Sequence, residues 1–307
     1  MPTDKRQRQR ANAQAKAAAA AAAAKRRANR RRAIAGGLAV IVIVGLVAFL
    51  IGTSSGGSKK SAASTSTTTV PASTTPSTAA AAAPPKAPPV VGGQSLTGTT
   101  PCPAASSPRV SKFAQAPPMC IDPAKTYTAT FNTTEGNIVV SLNTSSVPQT
   151  VNNFVVLSKY HYYDGSSFHR IDQSIDIIQG GSPTTQDIAD PGPGYTIKDE
   201  PASKFKTDAS GNLTGPYNNY TAGDLVMARA ASANSAAAQY FFVTGPKASA
   251  LNAQGTYVVF GHVTSGLSIL QNIETNLYAA CPSGDQSCLG GAPSRVVLVK
   301  SITIAES

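Results

Sequence analysis

Alternation of apolar and polar residues predicts a series of short β-strands in the second half of the chain. Residues 127–133 alternate up to a turn at residues 134–136, and residues 137–142 return, which is the pattern of a β-hairpin. Similar short apolar runs, separated by turn-forming residues, continue to the end of the chain. They predict further strands at residues 167–171, 175–179, 224–229, 240–244, 257–263 and 295–304.

Two segments have helical spacing instead. Residues 148–160 begin with proline, which suits the first turn of a helix, and Val151 and Phe154 share one face. Leu270 and Ile273 repeat this spacing in a second segment. Eight strands and two helices predict a mainly β fold, namely a closed eight-stranded antiparallel barrel capped by two helices.

The most apolar segment, residues 33–53, contains no charged residue. As a helix rising about 1.5 Å per residue it would cross a hydrocarbon core of about 30 Å. We therefore predict a transmembrane helix. A cleaved signal peptide is the alternative, but such peptides have a shorter apolar part and a shorter basic start.

The basic charge of the chain is concentrated before this segment. Residues 1–32 hold eleven of the 26 lysines and arginines and one of the 15 acidic residues. This asymmetry predicts a cytoplasmic tail and places the rest of the chain outside the cell membrane, as a single-pass protein. The tail has no aromatic residue to stack on a base, so we expect no nucleic-acid partner.

Composition divides the exported part into three regions. Residues 54–100 are nearly all Ser, Thr, Ala, Pro and Gly, which predicts a disordered linker. Residues 101–126 form a cysteine-containing lead-in segment, and residues 127–305 form the β domain. We expect this domain to be a monomer.

All four cysteines follow the predicted span, which fits disulfides in an oxidising compartment. Four cysteines allow three pairings. We favour Cys102 with Cys120 and Cys281 with Cys288, because each pair is close in sequence and flanks turn-forming residues. The spacings contain no CxxC pair, so no metal site is predicted.

Two segments carry the candidate chemistry. Residues 168–181 (FHRIDQSIDIIQGG) place Arg170 and Gln179 on one element, and a segment some sixty residues later carries Gln239 and Phe241. An arginine with amide side chains, an aromatic floor and no obvious nucleophile suits polarising a peptide bond better than cleaving one. The pattern therefore indicates rotation about a bond.

The ordered motifs FHR, QGG, MAR, QYFF and VVFG resemble those of the cyclophilin-type peptidyl-prolyl cis-trans isomerases. The resemblance covers residues 127–305 and implies an eight-stranded barrel that binds proline-containing polypeptides on its outer face. It implies rotation of X-Pro bonds, assisted by Arg170 as the catalytic residue, without cofactor or metal. It also implies a set of substrate-binding residues: Ile177, Gln179, Met227, Ala228, Arg229, Gln239, Phe241, Leu251 and Tyr257.

The chain departs from this family pattern in one segment. The interval between FHR and QGG is one residue longer than usual, and Asp176 stands where an aromatic residue is expected. We therefore predict a reshaped proline pocket. We also predict that His169 is packed against its neighbours and transfers no proton, because proton transfer has no part in this isomerisation. The leading hypothesis is a membrane-anchored isomerase acting on exported proteins. The alternative is a catalytically weak module or envelope chaperone that binds proline-containing segments.

Overall fold

The computed structural model describes residues 83–208, 210–282 and 289–307. These residues are mainly β, with two α-helices and short 3-10 turns at Ala202–Lys204 and Pro246–Leu251. The helices are α1 (Pro148–Lys159) and α2 (Leu267–Asn276). The strands are β1 (Gln94–Leu96), β2 (Val110–Phe113), β3 (Tyr127–Thr133), β4 (Asn137–Leu142), β5 (Ser166–Ser167), β6 (Arg170–Asp172), β7 (Ile177–Gly180), β8 (Lys206–Thr207), β9 (Leu213–Thr214), β10 (Asp224–Met227), β11 (Tyr240–Val243), β12 (Val259–Ser265), β13 (Tyr278–Ala280), β14 (Gly291–Pro293) and β15 (Leu298–Glu306).

Eleven strands form one curled sheet in the order β13-β14-β6-β7-β11-β10-β12-β4-β3-β15-β5. The edge strand β5 ends at Ser167 and β6 begins at Arg170, so two residues join the β5 edge to a strand near the opposite edge. Such a short connection requires the sheet to curl, because these ends lie at most about 10 Å apart.

The closed eight-stranded barrel that we predicted is not seen in the described part of the chain. β6 already pairs with β7 on one side and with β14 on the other, through Ile171 and Gly291. On the opposite edge of the sheet β5 pairs with β15. The hairpin of β13 and β14, which the sequence pattern did not predict, extends the sheet beyond β6.

The principal elements agree with the sequence pattern. β3 and β4 have the predicted bounds, and α1 begins at Pro148 as predicted. The predicted strand at residues 167–171 is divided into β5 and β6, and between them the N–H groups of Phe168 and His169 donate to the carbonyls of Val297 (3.0 Å) and Gln179 (3.0 Å).

Aromatic side chains fill the interior of the curled sheet. The Phe131 ring centroid lies 5.1 Å from that of Phe242, 5.4 Å from that of Tyr240 and 5.8 Å from that of Phe154 on α1. These rings meet at an angle, an arrangement that aromatic pairs favour. Because side chains alternate between the two faces of a strand, the neighbouring residues on these strands project from the outer face of the sheet.

Residues 83–100, which the composition assigns to a disordered linker, belong to the folded part of the chain. β1 pairs in parallel with β2, and Ala87 is only 3 % exposed. The Arg109 guanidinium donates to the carbonyls of Tyr162 (2.9 Å) and Asp164 (2.8 Å). Composition fails here because backbone hydrogen bonds and small apolar contacts hold the segment, and these need no large side chains. Residues 54–82 lie outside the described residues.

A disulfide joins Cys102 to Cys120, as predicted. Cys281 is also disulfide-bonded, and Cys288, its predicted partner, lies outside the described residues. Within the described ranges no helix is both long and apolar enough to cross a membrane. The predicted span at residues 33–53 lies outside those ranges.

The C-terminal strand returns to the start of the β domain. β15 pairs with β3 from Val299 to Glu306. Beyond the strand, the N–H of Ser307 donates to the Thr126 carbonyl (3.1 Å), and the N–H of Thr126 donates to the Ser307 carbonyl (2.9 Å). The chain end is therefore fixed beside residue 126.

Candidate functional site

A row of directly opposed residues crosses the outer face of the sheet. Arg170 on β6 lies opposite Gln179 on β7, which lies opposite Phe241 on β11. Phe241 lies opposite Val226 on β10. Directly opposed residues of antiparallel strands project from the same face. Because the adjacent Phe242 belongs to the interior core, this row lies on the outer face.

The Arg170 guanidinium is fixed by three acceptors. Its Nε donates to the Leu289 carbonyl (3.0 Å), its Nη1 to Gln179 Oε1 (2.9 Å) and its Nη2 to Asp172 Oδ2 (2.6 Å). The side chains of Arg170 and Asp172 are 11 % and 6 % exposed. A buried charge-assisted hydrogen bond of this length is a strong one. Arg170 is therefore held in one orientation.

Two glutamine amides continue this network across the sheet. Gln179 Nε2 donates to Gln239 Oε1 (2.8 Å), and Gln239 Nε2 donates to the Ile188 carbonyl (3.3 Å). Each amide therefore uses its oxygen as an acceptor and one N–H as a donor in these bonds, which leaves its second N–H. The structure thus links Arg170, Gln179 and Gln239 in one hydrogen-bonded chain.

An apolar slot lies beside this chain. It is built around Phe241, Val226 and Ile177, with Leu251 and Tyr257 partly buried against them. The Phe241 and Tyr257 rings meet edge to face, with their centroids 5.5 Å apart. An apolar surface of this composition suits a small apolar ring such as that of proline.

Tyr220 fixes the position of Tyr257. The Tyr220 hydroxyl donates to the Tyr257 carbonyl (2.9 Å) and accepts from the Tyr257 N–H (3.0 Å). Burial raises the pKa of both phenols above the ordinary value, so both remain neutral at physiological pH. The sequence carried no signal for the role of Tyr220.

The additional residue between FHR and QGG is accommodated at Asp176, which has a left-handed backbone (φ 46°). Its side chain accepts from the Lys247 N–H (2.8 Å), and its carbonyl accepts from the Thr244 N–H (2.9 Å). Asp176 therefore binds the backbone that follows β11. Ile175, the residue before Asp176, packs against the slot. An aliphatic side chain thus lies in this part of the pocket, which the sequence analysis predicted to be reshaped.

The three predicted substrate-binding residues at and just after the end of β10 lie in different surroundings. The Met227 side chain lies in the interior core, so it does not reach the slot. Ala228 packs against the slot, and its N–H donates to the Gln239 carbonyl (2.9 Å). The Arg229 side chain is buried and lies near Asp199, with Nη2 3.4 Å from Oδ2. Arg229 can therefore offer a bound peptide its backbone but little of its side chain.

His169 cannot act as a cation here. Burial, and then the charge of Arg170, lower its pKa from the ordinary value of 6.5 to about 3. The imidazole is therefore neutral at physiological pH, in line with a packing role. Among the described residues, no group of three or more His, Cys, Asp and Glu could hold a metal ion.

Sequence reasoning missed Asp172 and Leu289. Alternation along β6 places Asp172 on the same face as Arg170, two residues away, so the strand pattern contained a signal for it. Leu289 acts through its backbone carbonyl on the additional hairpin, and no sequence pattern indicates that.

Comparison with known proteins covers the same region of the chain. Residues 128–301 match the family described as cyclophilin type peptidyl-prolyl cis-trans isomerase/CLD. A peptidyl-prolyl cis-trans isomerase of Helicobacter pylori is 36 % identical over 155 residues, which is 49 % of this chain and 82 % of that protein. Peptidyl-prolyl cis-trans isomerase B of Bacillus subtilis is 35 % identical over 140 residues, covering 45 % of this chain and 85 % of that protein.

A solved structure is also similar. It is a cyclophilin type peptidyl-prolyl cis-trans isomerase of Cryptosporidium parvum, 28 % identical, with a TM-score of 0.42. The alignment covers 59 % of this chain and 99 % of that one.

Proposed function

Because this chain belongs to the cyclophilin-type peptidyl-prolyl cis-trans isomerase family and is an isomerase of that type, we propose that Arg170 is its catalytic residue. The substrate is the peptide bond before a proline in a polypeptide. The proline ring lies in the slot over Phe241, and the guanidinium faces the nitrogen of that bond. The fixed guanidinium beside an apolar slot is the observation that carries this proposal.

The chemistry follows from the electronic structure of the peptide bond. Rotation has a barrier of about 18–20 kcal/mol, because it interrupts resonance between the nitrogen and the carbonyl. In the twisted transition state the prolyl nitrogen regains its lone pair. A guanidinium N–H donates to that lone pair more strongly than to the planar nitrogen, and such differential binding lowers the barrier.

Arg170 needs support from the rest of the site. Acceleration by about 10⁵ requires roughly 7 kcal/mol, more than one charge-assisted hydrogen bond provides. The slot around Phe241 restrains the proline ring while Gln179 and Gln239 offer hydrogen bonds to the flanking carbonyls. Since Asp172 and Leu289 already orient the guanidinium, little side-chain entropy is lost when the substrate binds.

Substitution of Arg170 tests this mechanism. We expect Arg170→Ala to lower kcat/KM on an Ala-Pro peptide by about 10²-fold or more, as for loss of a group that stabilises transition-state charge. Exchange between the cis and trans peptide, followed by NMR, measures the rate without a coupling protease. Arg109→Ala is the matched control, because Arg109 is a partly buried arginine that donates to backbone carbonyls away from the slot.

The outcome also separates isomerase from binding module. If Arg170→Ala and the wild type both accelerate exchange equally, Arg170 is not the catalytic residue. If the wild type binds the peptide but leaves its exchange rate unchanged, the site is a module for proline-containing segments. The aliphatic residues around Asp176 favour this second outcome, and the fixed Arg170 favours the first.

The location of the domain is a further part of the proposal. We propose that residues 33–53 anchor the protein in the cell membrane as a single span, with the basic tail in the cytoplasm and a monomeric isomerase domain outside. The disulfide of Cys102 and Cys120 supports an oxidising compartment, where the clients are exported proteins. Protease added to intact cells should digest the domain and spare the tail. Protection of the domain would reject this arrangement.

A further inference from the structure

A second cavity lies on the side of Arg170 away from the slot. Its volume is about 290 Å³. Arg170 and His169 form one wall, and β14 forms another, because β14 is the neighbour of β6 on this side. A third wall is residues 83–87, which belong to the proline-rich segment that precedes the domain. The catalytic arginine is therefore shared between the slot and this cavity.

The proline-rich wall is fixed to the domain by contacts within it and just after it. Lys86 Nζ lies 2.5 Å from Asp187 Oδ2. Gln186 Nε2 donates to the Pro88 carbonyl (3.2 Å), and the Val90 N–H donates to the Pro183 carbonyl (2.8 Å). The segment therefore forms a defined wall of the cavity.

The walls of the cavity carry more positive than negative charge. Among the described residues that line it are three cationic side chains, Lys86, Arg170 and Arg295, and one carboxylate, Asp187. The partners of the two arginines, Asp172 and Glu135, do not line the cavity. A carboxylate is the side chain that best complements such a wall.

The position of the cavity relates it to the peptide in the slot. Phe241, Gln179 and Arg170 lie on three successive strands, and adjacent strands are about 4.8 Å apart. Arg170 is therefore about 10 Å from Phe241 across the sheet, which corresponds to about three residues of extended chain. A polypeptide with its proline over Phe241 and its chain passing Arg170 would reach the cavity at about the third residue.

We propose that this cavity is an accessory subsite of the isomerase that takes an acidic side chain, Asp or Glu, about three residues from the substrate proline. The inference rests on the proposed function, because it assumes that the proline lies over Phe241. The volume suits one large side chain with its solvent. Residues 83–87 lie outside the matched family region. As a wall of the subsite they would help to determine the substrate specificity.

Peptides that differ in one charge test the subsite. Each has a central Ala-Pro bond and either Glu or Lys at the third residue before or after the proline, with alanine elsewhere. With the full-length chain we expect kcat/KM to favour Glu over Lys by about threefold on one side of the proline, the size of an exposed ion pair. This preference should diminish when the salt concentration is raised towards 1 M.

A pair of lysine variants provides the control. Lys86→Ala should reduce the preference for Glu, and Lys125→Ala should leave it unchanged. The two lysines are matched: each lies 2.5 Å from a carboxylate, and their side chains are 53 % and 50 % exposed.

Two results would overturn the subsite, namely equal rates for Glu and Lys on both sides of the proline, or a preference that survives Lys86→Ala. The all-alanine Ala-Pro peptide separates these results from failure of the proposed function. If the wild type does not accelerate its exchange, the isomerase mechanism fails. If it does, a negative result applies to the subsite alone.

Discussion

Phe241 and Phe242 are neighbours in sequence, yet they belong to different regions of the molecule. Phe242 is fully buried and packs against Phe131 in the interior, while Phe241 is 3 % exposed and packs against Tyr257 in the outer slot. Burial alone does not separate these two roles. The face of the strand does, because the interior face holds interlocked aromatic rings and the outer face holds the row that begins at Arg170.

The largest expected effect is on the interior face. Phe242→Ala should lower the free energy of unfolding by about 3–5 kcal/mol, the usual cost of removing a buried aromatic ring. Phe242 packs against Phe131, Phe168 and Tyr240, so neighbouring rings cannot fill the cavity without moving. Urea unfolding followed by fluorescence or circular dichroism measures the change.

Phe241→Ala provides the comparison on the outer face. We expect a smaller loss of stability, because Phe241 belongs to a smaller apolar cluster than Phe242, and a rise of KM for Ala-Pro peptides of about tenfold. If Phe241→Ala were as destabilising as Phe242→Ala and left KM unchanged, the distinction between the two faces would be wrong.

The next effect concerns the orientation of Arg170. Asp172→Asn removes the charge that accepts from Arg170 Nη2, and we expect kcat to fall by about tenfold with KM nearly unchanged. A role in folding alone would lower stability without this change in kcat. Asp199→Asn is the matched control, since Asp199 also pairs with a buried arginine, Arg229. It should cost stability and leave kcat intact.

A further prediction concerns the dependence of stability on pH. The folded protein keeps His169 neutral down to a pH of about 3, whereas the unfolded chain binds a proton below about 6.5. The unfolded state therefore binds more protons in this window, so stability should fall as the pH is lowered from about 6.5 towards 3. His169→Gln should flatten this slope in urea unfolding at a series of pH values. An unchanged slope would show that His169 is already charged or exposed when folded.

The contrast between the two faces also explains what the sequence could predict. Alternation along β7 and β11 was sufficient to predict the strands. Arg170, Gln179 and Gln239, which the motifs singled out, lie in one hydrogen-bonded chain. In these strands the type of side chain indicates which face of the sheet the residue occupies.

Prediction was poorer where the backbone makes the contacts. The parallel pair of β1 and β2, the carbonyl of Leu289 and the docking of residues 83–87 depend on main-chain groups that every residue carries. The pairing of β14 with β6, which extends the sheet, is likewise a backbone contact.

The hydrogen bonds between Thr126 and Ser307 bring the two ends of the β domain together. A few glycines inserted after Ser307 could therefore lead back to Thr126 and close this domain into a ring. New termini could then be opened at an exposed turn, such as the one at Gly211, giving a circular permutant with the same sheet. The strands could thus be synthesised in a different order and still pair in the same way.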